Sequence, residues 1–260
     1  MAEYKEIHTS CSACGSSDGR STYVDGSSHC FSCGKNTQPN KNEKRKMEEQ
    51  PTTKNNKASF VSNGKTTALT RRNLTEETCK KWGYQAAEVD GQMVQVANYR
   101  TRDGKLCGQK IRYADKSFKV RGELIGLYGQ HLWRDSGKRV VVTEGEIDAL
   151  SVSQAFNNRW AVVSVPHGAG GAKNNVAQAL DWLERYEEVV FMFDMDDPGR
   201  KGAAECAALL TPGRAKIAEL PLKDPNDMLK ANRAKEIVTA VFEAREYRPD
   251  GIVGAEELWE

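Results

Sequence analysis

Residues 140–150 read VVVTEGEIDAL, an apolar run followed at once by acidic residues and a helical pattern. The run predicts a buried strand that ends at Glu144, and Gly145 permits a sharp turn into a helix. Asp148 then lies one helical turn beyond Glu144, so both carboxylates can face one point, whereas Glu146 is predicted to lie on a different face as a bystander. The helix dipole alone would explain Glu146 and Asp148, but it explains Glu144 less well.

The same alternation of apolar runs and helical stretches continues through the second half of the chain. It predicts a parallel α/β sheet, in which ligands collect at the carboxyl ends of the strands. The runs and the helices that follow them are 139–144 with 147–156, 160–166 with 174–186, 188–194 with 200–210, and 214–220 with a final helix near 234–245.

The region before this sheet has a different pattern, in which helical periodicity gives way to strict alternation of apolar and polar residues. Such alternation around an Asp-Gly pair predicts antiparallel strands joined by a tight turn. A mixed α+β subdomain is therefore expected ahead of the parallel sheet. Its predicted elements are helices 66–72 and 75–82, the second ended by Gly83, and strands 91–100 and 105–113 around Asp103 and Gly104.

A second acidic motif, VVFMFDMDDPG, ends the third apolar run. The period of two places Asp194 and Asp196 on the same side of the strand end, where carboxylate oxygens can bridge a metal. A lone D-x-D is commonly a turn with a helix cap, but together with EGEID it indicates a magnesium site. Asp224 in KDPND is a further candidate ligand, although Asp-Pro is also an ordinary turn signal. Two further candidates are Asp197 and Asp227, the latter predicted as a helix N-cap.

Charge is segregated along a chain whose formal net charge is only +2. Residues 100–121 hold eight Lys and Arg against two Asp, whereas 181–197 is mostly acidic. A solvated strand face is the usual role of a basic run, but its alternation with apolar residues favours a groove for a phosphate backbone or a triphosphate. The stretch PHGAGGAK at 166–173 is predicted as a loop in which the backbone approaches a phosphate. Candidate phosphate ligands are Lys110, Arg112, Lys119, His167 and Lys173.

Four cysteines near the N-terminus have the spacing of a Cys₄ zinc ribbon, Cys11-x-x-Cys14 followed after 15 residues by Cys30-x-x-Cys33. Two such knuckles place four thiolates tetrahedrally around Zn²⁺. A purely structural zinc is the alternative, but the small polar ribbon favours nucleic-acid recognition. Side chains suited to that role are Tyr23, His29 and Phe31, with Arg20 and Lys35, whereas the isolated Cys79, Cys107 and Cys206 are assigned no chemistry.

The length of 260 residues suits one medium domain with a small appendage. No apolar run resembles a signal peptide or a membrane span, so an intracellular, cytoplasmic protein without membrane contact is expected. There is no P-loop motif, and therefore no P-loop motor is expected in these residues. The predicted units are a zinc ribbon 1–38, a flexible polar linker 39–59, a basic subdomain 60–137, a parallel catalytic sheet 138–247 and a tail 248–260.

The motifs EGEID, DMD and KDPND resemble the TOPRIM domain, which bacterial-type primases share with topoisomerases and some nucleases. A leading Cys₄ ribbon, a polar linker and basic strands, in this order, extend the likeness to the primase half of the phage primase-helicase family. Ser27 is a departure, since a family member has a histidine there, and the template preference is therefore not carried over. The likeness also includes CGSSDG at 14–19, QVANYR at 95–100, GQKIR at 108–112 and HLW at 131–133.

The resemblance implies an enzyme that makes short RNA primers on single-stranded DNA from ribonucleoside triphosphates. Its cofactors would be one Zn²⁺ and one or two catalytic Mg²⁺, with Mn²⁺ as a substitute. Its partners would be a hexameric helicase, in the same or a separate chain, and a DNA polymerase that receives the primer. Alternatives are a non-catalytic RecR-like recombination mediator and a TOPRIM nuclease. Carried over by motif, the catalytic and metal-binding acids are Glu144, Asp148, Asp194, Asp196 and Asp224, and the nucleotide or template lysines are Lys110, Lys116 and Lys119.

Overall fold

The chain divides into two compact units, Met1–Asn56 and Lys57–Glu260. Each unit has its own sheet structure, and the division falls within the polar stretch that the sequence predicts as a linker. The finer boundaries drawn from the sequence stay predictions. The structure, a computed structural model, describes residues 4–17, 20–23, 27–37 and 59–248.

The described residues of the first unit form a small antiparallel sheet of four short strands in the order β1-β2-β3-β4. Pairing of β2 with β3 places Arg20 opposite Cys30. The strands are β1 (Tyr4–Thr9), β2 (Arg20–Tyr23), β3 (Ser28–Cys30) and β4 (Asn36–Thr37).

The second unit begins with a helix that packs beside an antiparallel four-stranded sheet. Helix α1 (Glu76–Trp82) starts at Thr75, whose side chain accepts a hydrogen bond from the Thr78 amide, and ends at Gly83 with φ 62°. The sheet has the order β5-β6-β7-β8, and the β6–β7 hairpin confirms the predicted turn around Gly104. Its strands are β5 (Tyr84–Val89), β6 (Gln92–Arg100), β7 (Leu106–Arg112) and β8 (Phe118–Gly122).

A five-stranded sheet follows, in the order β10-β9-β11-β12-β13. The first four strands in this order pair in parallel, as the sequence predicts. Within this sheet, β13 pairs with β12 in the antiparallel sense. The strands are β9 (Gly137–Thr143), β10 (Ala161–Ser164), β11 (Tyr186–Met192), β12 (Ala215–Ile217) and β13 (Arg245–Glu246). The helices are α2 (Glu146–Ala155), α3 (Gly168–Gln178), α4 (Leu180–Leu183), α5 (Asp197–Ala207), α6 (Pro225–Lys230) and α7 (Ala234–Phe242).

The strand period of two divides the apolar residues of β9, an interior strand of the parallel sheet, between two cores. Val141 belongs to a cluster that also holds Tyr84, Ala97 and Tyr99 from the antiparallel sheet. The neighbouring residues of β9 face a second cluster on the other side of the parallel sheet. Because β9 is buried on both faces, its carboxyl end, which Glu144 follows, is held firmly in place.

Four predictions about local structure are wrong. Residues 66–72 are not a helix, because only Thr70–Arg72 form a 3-10 turn after Leu69 adopts non-helical angles. The glycine-rich stretch is a loop only as far as His167, since α3 begins at Gly168, six residues before the predicted start of that helix at 174. Asp224, not Asp227, caps α6 by accepting from the Asp227 amide at 2.7 Å. The last helix ends at Phe242 rather than 245, so that the chain can add β13 to the sheet. The predicted linker, apart from Ser59, and the predicted tail, apart from Arg248, lie outside the described residues.

Candidate active site and cysteine cluster

Carboxylates follow the ends of two adjacent parallel strands. Glu144 comes directly after β9, and Asp194 follows β11, its neighbour in the sheet. Asp148 lies on the first turn of α2, close enough to Gly145 that a β-carbon there would lie 2.8 Å from its Oδ2 atom. A side chain at position 145 would therefore displace the Asp148 carboxylate, whereas the backbone angles of Gly145 are ordinary extended ones. These three acids line one cavity of about 470 Å³, which we call the acidic cavity.

Burial and mutual repulsion disfavour the ionised forms of two acids in this cavity, Asp148 and Asp194. Burial, followed by the charges of Asp224 and Asp194, raises the pKa of Asp148 well above its ordinary value. Burial and the charge of Glu144 raise the pKa of Asp194 to about 6. The Oε2 atom of Glu144 is buried and has no hydrogen-bond partner. A buried carboxylate oxygen without a donor costs free energy, and a bound cation would satisfy it.

One ammonium group already lies between two of the acids. The Nζ atom of Lys223 is 3.3 Å from Asp194 Oδ2 and 3.3 Å from Asp196 Oδ2. Asp196 also caps α5 by accepting from the Gly199 amide at 3.0 Å, which lowers the pKa of its carboxyl. The positive charge beside these two side chains shows that this strand end favours a cation.

Glu146 faces the same cavity, and the prediction that it lies on a different face is wrong. Its Oε1 atom accepts from the Tyr99 hydroxyl at 2.6 Å and lies 2.9 Å from Lys110 Nζ. Lys110 also donates to the carbonyl of Pro166 at 2.9 Å. Because Tyr99 and Lys110 belong to the antiparallel sheet, Glu146 joins the two sheets and fixes the Lys110 ammonium on the cavity wall.

The predicted basic residues do not all reach this cavity. Lys110 and Arg112, two positions apart on β7, line it together with His167 at the start of α3. Lys119 is paired with Ile111 and lies over the Tyr113 ring, on the opposite face of the sheet. Lys116 lines a separate groove that also contains Arg71 and Arg72, and Lys173 is exposed on α3 outside the lining of the acidic cavity.

Asn226 is a positioning residue that the sequence interpretation missed. Its side-chain amide donates to the Arg72 carbonyl at 2.9 Å and to Ser151 Oγ at 3.0 Å, and its backbone amide donates to Asp148 Oδ1 at 3.3 Å. It is fully buried, so these bonds hold the KDPND turn against α2. The available signal was a polar residue in the middle of an Asp-Pro turn.

The four cysteines of the first unit lie together. Their sulfur atoms are all within 4.8 Å of one another, and among the described residues they are the one such group of three or more His, Cys, Asp or Glu ligand atoms. Both knuckles have the same turn, in which a glycine amide donates to the carbonyl of the first cysteine: Gly15 to Cys11 at 2.9 Å and Gly34 to Cys30 at 2.8 Å. Both glycines have positive φ, 74° and 70°, which explains a glycine after each C-x-x-C.

The spacing of the sulfurs suits a tetrahedral metal. The Sγ atoms of Cys14 and Cys30 are 3.8 Å apart, and Zn–S bonds of about 2.3 Å in a tetrahedron require nearly the same separation. Backbone donors at Ala13 and Cys14 lower the pKa of the Cys11 thiol to about 6, which favours the thiolate that binds metal. Four cysteines that could hold a metal ion are therefore present in the first unit.

An aromatic pair lies on the surface of the same unit. His29 and Phe31 contact edge to face with ring centroids 4.6 Å apart, and His29 Nδ1 is 2.5 Å from Asn36 Oδ1. Phe31 is 63% exposed, while Tyr23 is half-buried on β2. The exposed ring of Phe31 is available for stacking.

Comparison with known proteins identifies the family. A family model described as Bacteriophage T7 DNA helicase/primase, N-terminal a+b fold, matches residues 64–122, and a Toprim-like model matches residues 141–229. The DNA helicase/primase of Enterobacteria phage T3 is 40% identical over 261 residues, which cover 97% of this chain and 46% of that protein. The primase fragment of the bacteriophage T7 primase-helicase protein is 40% identical in its crystal structure, with a TM-score of 0.68, 92% of this chain covered and 99% of that fragment. The chain belongs to the phage DNA helicase/primase family.

A second similar structure contains primase domains in a complex. In that complex, the bacteriophage T7 lagging-strand DNA polymerase interacts with primase domains bound to an RNA/DNA hybrid and dTTP. The matched chain is 43% identical to the present one, with a TM-score of 0.68. The match covers 71% of this chain and 95% of that chain. The present chain spans about half the length of the curated phage T3 relative. None of the helices in the described part of the chain has the length and apolar character that a membrane span needs.

Proposed function

We propose that this chain is a DNA primase, which synthesises short RNA primers on single-stranded DNA from ribonucleoside triphosphates. The observation that carries the proposal is the cavity in which Glu144, Asp148 and Asp194 face Lys110 and Arg112. Nucleotidyl transfer requires carboxylates that bind metal cations, and it requires basic side chains opposite them that bind phosphate groups. The relatives named as primases support the same activity.

Glu144, Asp194, Asp196 and Asp224 are the residues that we propose hold Mg²⁺, or Mn²⁺ in its place. The unpartnered Glu144 oxygen, the raised pKa of Asp194 and the Lys223 ammonium beside Asp196 all fit a divalent cation. When bound, one or two such ions would lower the pKa of a primer 3′-hydroxyl and neutralise the triphosphate. As an alternative role for Glu144, we propose that it acts as the base for that hydroxyl.

The side chains that do not hold a metal ion would bind and orient the nucleotide and the template. Asp148, whose raised pKa favours the protonated form, can donate a hydrogen bond within the acidic cavity. Lys110 and Arg112 would bind the triphosphate, with His167 at the start of α3 beside them. Lys116, Lys119 and Lys173 lie outside the acidic cavity, and for these we propose contact with the phosphate backbone of the template.

For the first unit we propose one Zn²⁺ held by Cys11, Cys14, Cys30 and Cys33 and a role in recognising the template start site. Phe31, His29 and Tyr23 would contact the bases there. The polymerase complex of the T7 primase domains supports hand-over of the primer to a DNA polymerase, and the name of the T3 relative supports a helicase as partner or continuation of the chain. A host-cell cytoplasmic location follows from such a replication role.

The test is incubation of the chain with single-stranded oligonucleotides that carry every trinucleotide start site, labelled ribonucleotides and Mg²⁺. Short RNA products are expected, and Asp194→Ala should reduce them by more than about 100-fold, since even outer-shell changes at metal sites cost 10–100-fold. The control is Asp181→Asn, which changes an exposed carboxylate outside the cavity. Cleaved DNA would instead indicate a nuclease, and retention on DNA without product would indicate a recombination mediator.

A further inference from the structure

An exposed aromatic ring lies on the cavity wall opposite the acids. Phe118 begins the edge strand β8, and its side chain is 48% exposed. It is paired in register with Arg112, and Val120 is paired with Lys110. Residues paired across an antiparallel ladder share a face, so these four side chains form one surface. All four line the cavity that also contains Glu144 and Asp194.

The ring is bordered by the two cations. Lys110 Nζ lies 4.9 Å from the ring centroid of Phe118, and Arg112 Cζ lies 5.4 Å from it. A phenylalanine at the surface loses the hydrophobic stabilisation of burial, and this one has cations as its neighbours. A nucleotide has the complementary character, with an anionic phosphate group next to a flat aromatic base. The surface therefore matches a nucleotide better than it matches a simple phosphate.

We propose that Phe118 is a stacking platform for a nucleobase whose phosphate is held by Lys110 and Arg112. This rests on the proposed primase function and adds a base-binding residue to it. The ligand chemistry is the π face of a base, which can belong to an incoming ribonucleoside triphosphate or to the DNA template. Stacking on an aromatic side chain tolerates any base, as copying of a template requires.

The experiment separates stacking from a structural effect of the ring on the two cations. Equilibrium binding of ATP and of ribose 5′-triphosphate, which lacks the base, is measured in Mg²⁺ for the wild type, Phe118→Ala and Phe118→Tyr. Phe118→Ala should weaken ATP binding by roughly 5- to 150-fold, leave binding of the base-free compound within about twofold, and be rescued by Phe118→Tyr. Equal weakening of both ligands would show that the ring only organises Lys110 and Arg112, and would overturn the proposal.

A second arm uses the template as the ligand. Binding of a short single-stranded oligonucleotide is compared with that of the same oligonucleotide containing abasic positions. A loss in Phe118→Ala that depends on the bases assigns the platform to the template, and the same dependence for ATP assigns it to the nucleotide. No base-dependent loss in either arm would refute the proposal. Ile125→Ala is the matched control, since Ile125 is 47% exposed and lies outside the cavity lining.

These measurements are independent of whether the chain makes primers. If Asp194→Ala retains full primer synthesis, the metal assignment fails, but a base-dependent effect of Phe118→Ala still establishes a stacking site. Conversely, if the chain makes primers but Phe118→Ala binds both ATP and the oligonucleotide as tightly as the wild type does, the proposed function stands and the stacking platform is refuted.

Discussion

The cysteine cluster and the acidic cavity are both predicted to bind metal, but they are prepared for it in different ways. The four sulfurs lie within 4.8 Å of one another, and among the described residues no group of three carboxylates is drawn together that closely. Each cysteine pair is set by a local turn with its own backbone hydrogen bonds, whereas the acids come from separate strand ends. Local turns bring the four cysteines together in advance, whereas the carboxylates of the cavity, which come from separate strand ends, repel one another until a cation is present.

The acidic cavity also contains two kinds of carboxylate. Glu146 is paired with Lys110 and Tyr99, while Glu144, two residues earlier, has a buried oxygen without a donor. A paired carboxylate stabilises the fold, and an unpaired one destabilises it in the absence of metal. Glu146 therefore holds the two sheets together, whereas Glu144 is one of the acids that we propose bind a cation.

The largest expected effect comes from opening the cysteine cluster. Cys14→Ser removes one of four ligands, and structural zinc sites contribute on the order of 10–16 kcal/mol of binding free energy. We expect the full chain to lose its zinc and the first unit to become sensitive to protease. Zinc content of the purified protein checks this. Cys107→Ala, which changes a cysteine outside the cluster, should keep one zinc per chain, and equal zinc content in both variants would contradict the ligand assignment.

A smaller effect is expected from the paired carboxylate of the acidic cavity. Glu146→Gln leaves the Lys110 ammonium without its counter-charge where the side chains are only 9% and 14% exposed. Removing one partner of a buried pair costs about 3–5 kcal/mol. We expect a loss near the lower limit, because Lys110 keeps its bond to the Pro166 carbonyl. Urea unfolding without Mg²⁺ measures it, followed by tryptophan fluorescence, since all five tryptophans lie beyond residue 56.

The matched control for this prediction is Glu144→Gln in the same strand-to-helix turn. This substitution removes the negative charge of Glu144, which raises the pKa of Asp194. The free energy of unfolding should therefore stay the same or increase. A loss in Glu144→Gln equal to that in Glu146→Gln would contradict the distinction between the two residues.

The sequence predicts those features that depend on local pattern. The Val140–Val142 run predicts a buried strand, the C-x-x-C spacing predicts the cysteine cluster, and Asp103-Gly104 predicts the hairpin turn. Each of these depends on residues close together in the chain. Periodicity and spacing contain that information directly.

The role of Glu146 could not be predicted in this way. Helical geometry favours Glu146 as a bystander, but its partners Tyr99 and Lys110 come from the antiparallel sheet, more than 30 positions earlier. The start of α3 at Gly168 was missed for a related reason, because glycines have low helix propensity and tertiary packing overrides it. Pairing across sheets is a tertiary property that a single stretch of sequence does not reveal.

The smallest expected effect concerns the dependence of stability on pH at Asp194. Its folded pKa of about 6 lies above the ordinary value of 3.8, so its ionisation destabilises the fold as pH rises through this interval. Asp194→Asn should therefore be more stable than the wild type at pH 7 without Mg²⁺, by about 1–3 kcal/mol. The difference should shrink as pH falls towards 4, and urea titrations at several pH values measure it.

Asp196 provides a control of opposite sign on the same strand end. The Gly199 amide lowers the pKa of its carboxyl, so its ionised form stabilises the fold above pH 3.8, and that stabilisation is lost as pH falls through the lower folded value. Asp196→Asn should thus be less stable than the wild type at pH 7, where Asp194→Asn is more stable. If Asp194→Asn is not more stable than the wild type at pH 7, Asp194 is not held in a repulsive environment, and the proposed distinction between acids that stabilise the fold and acids that bind a cation fails.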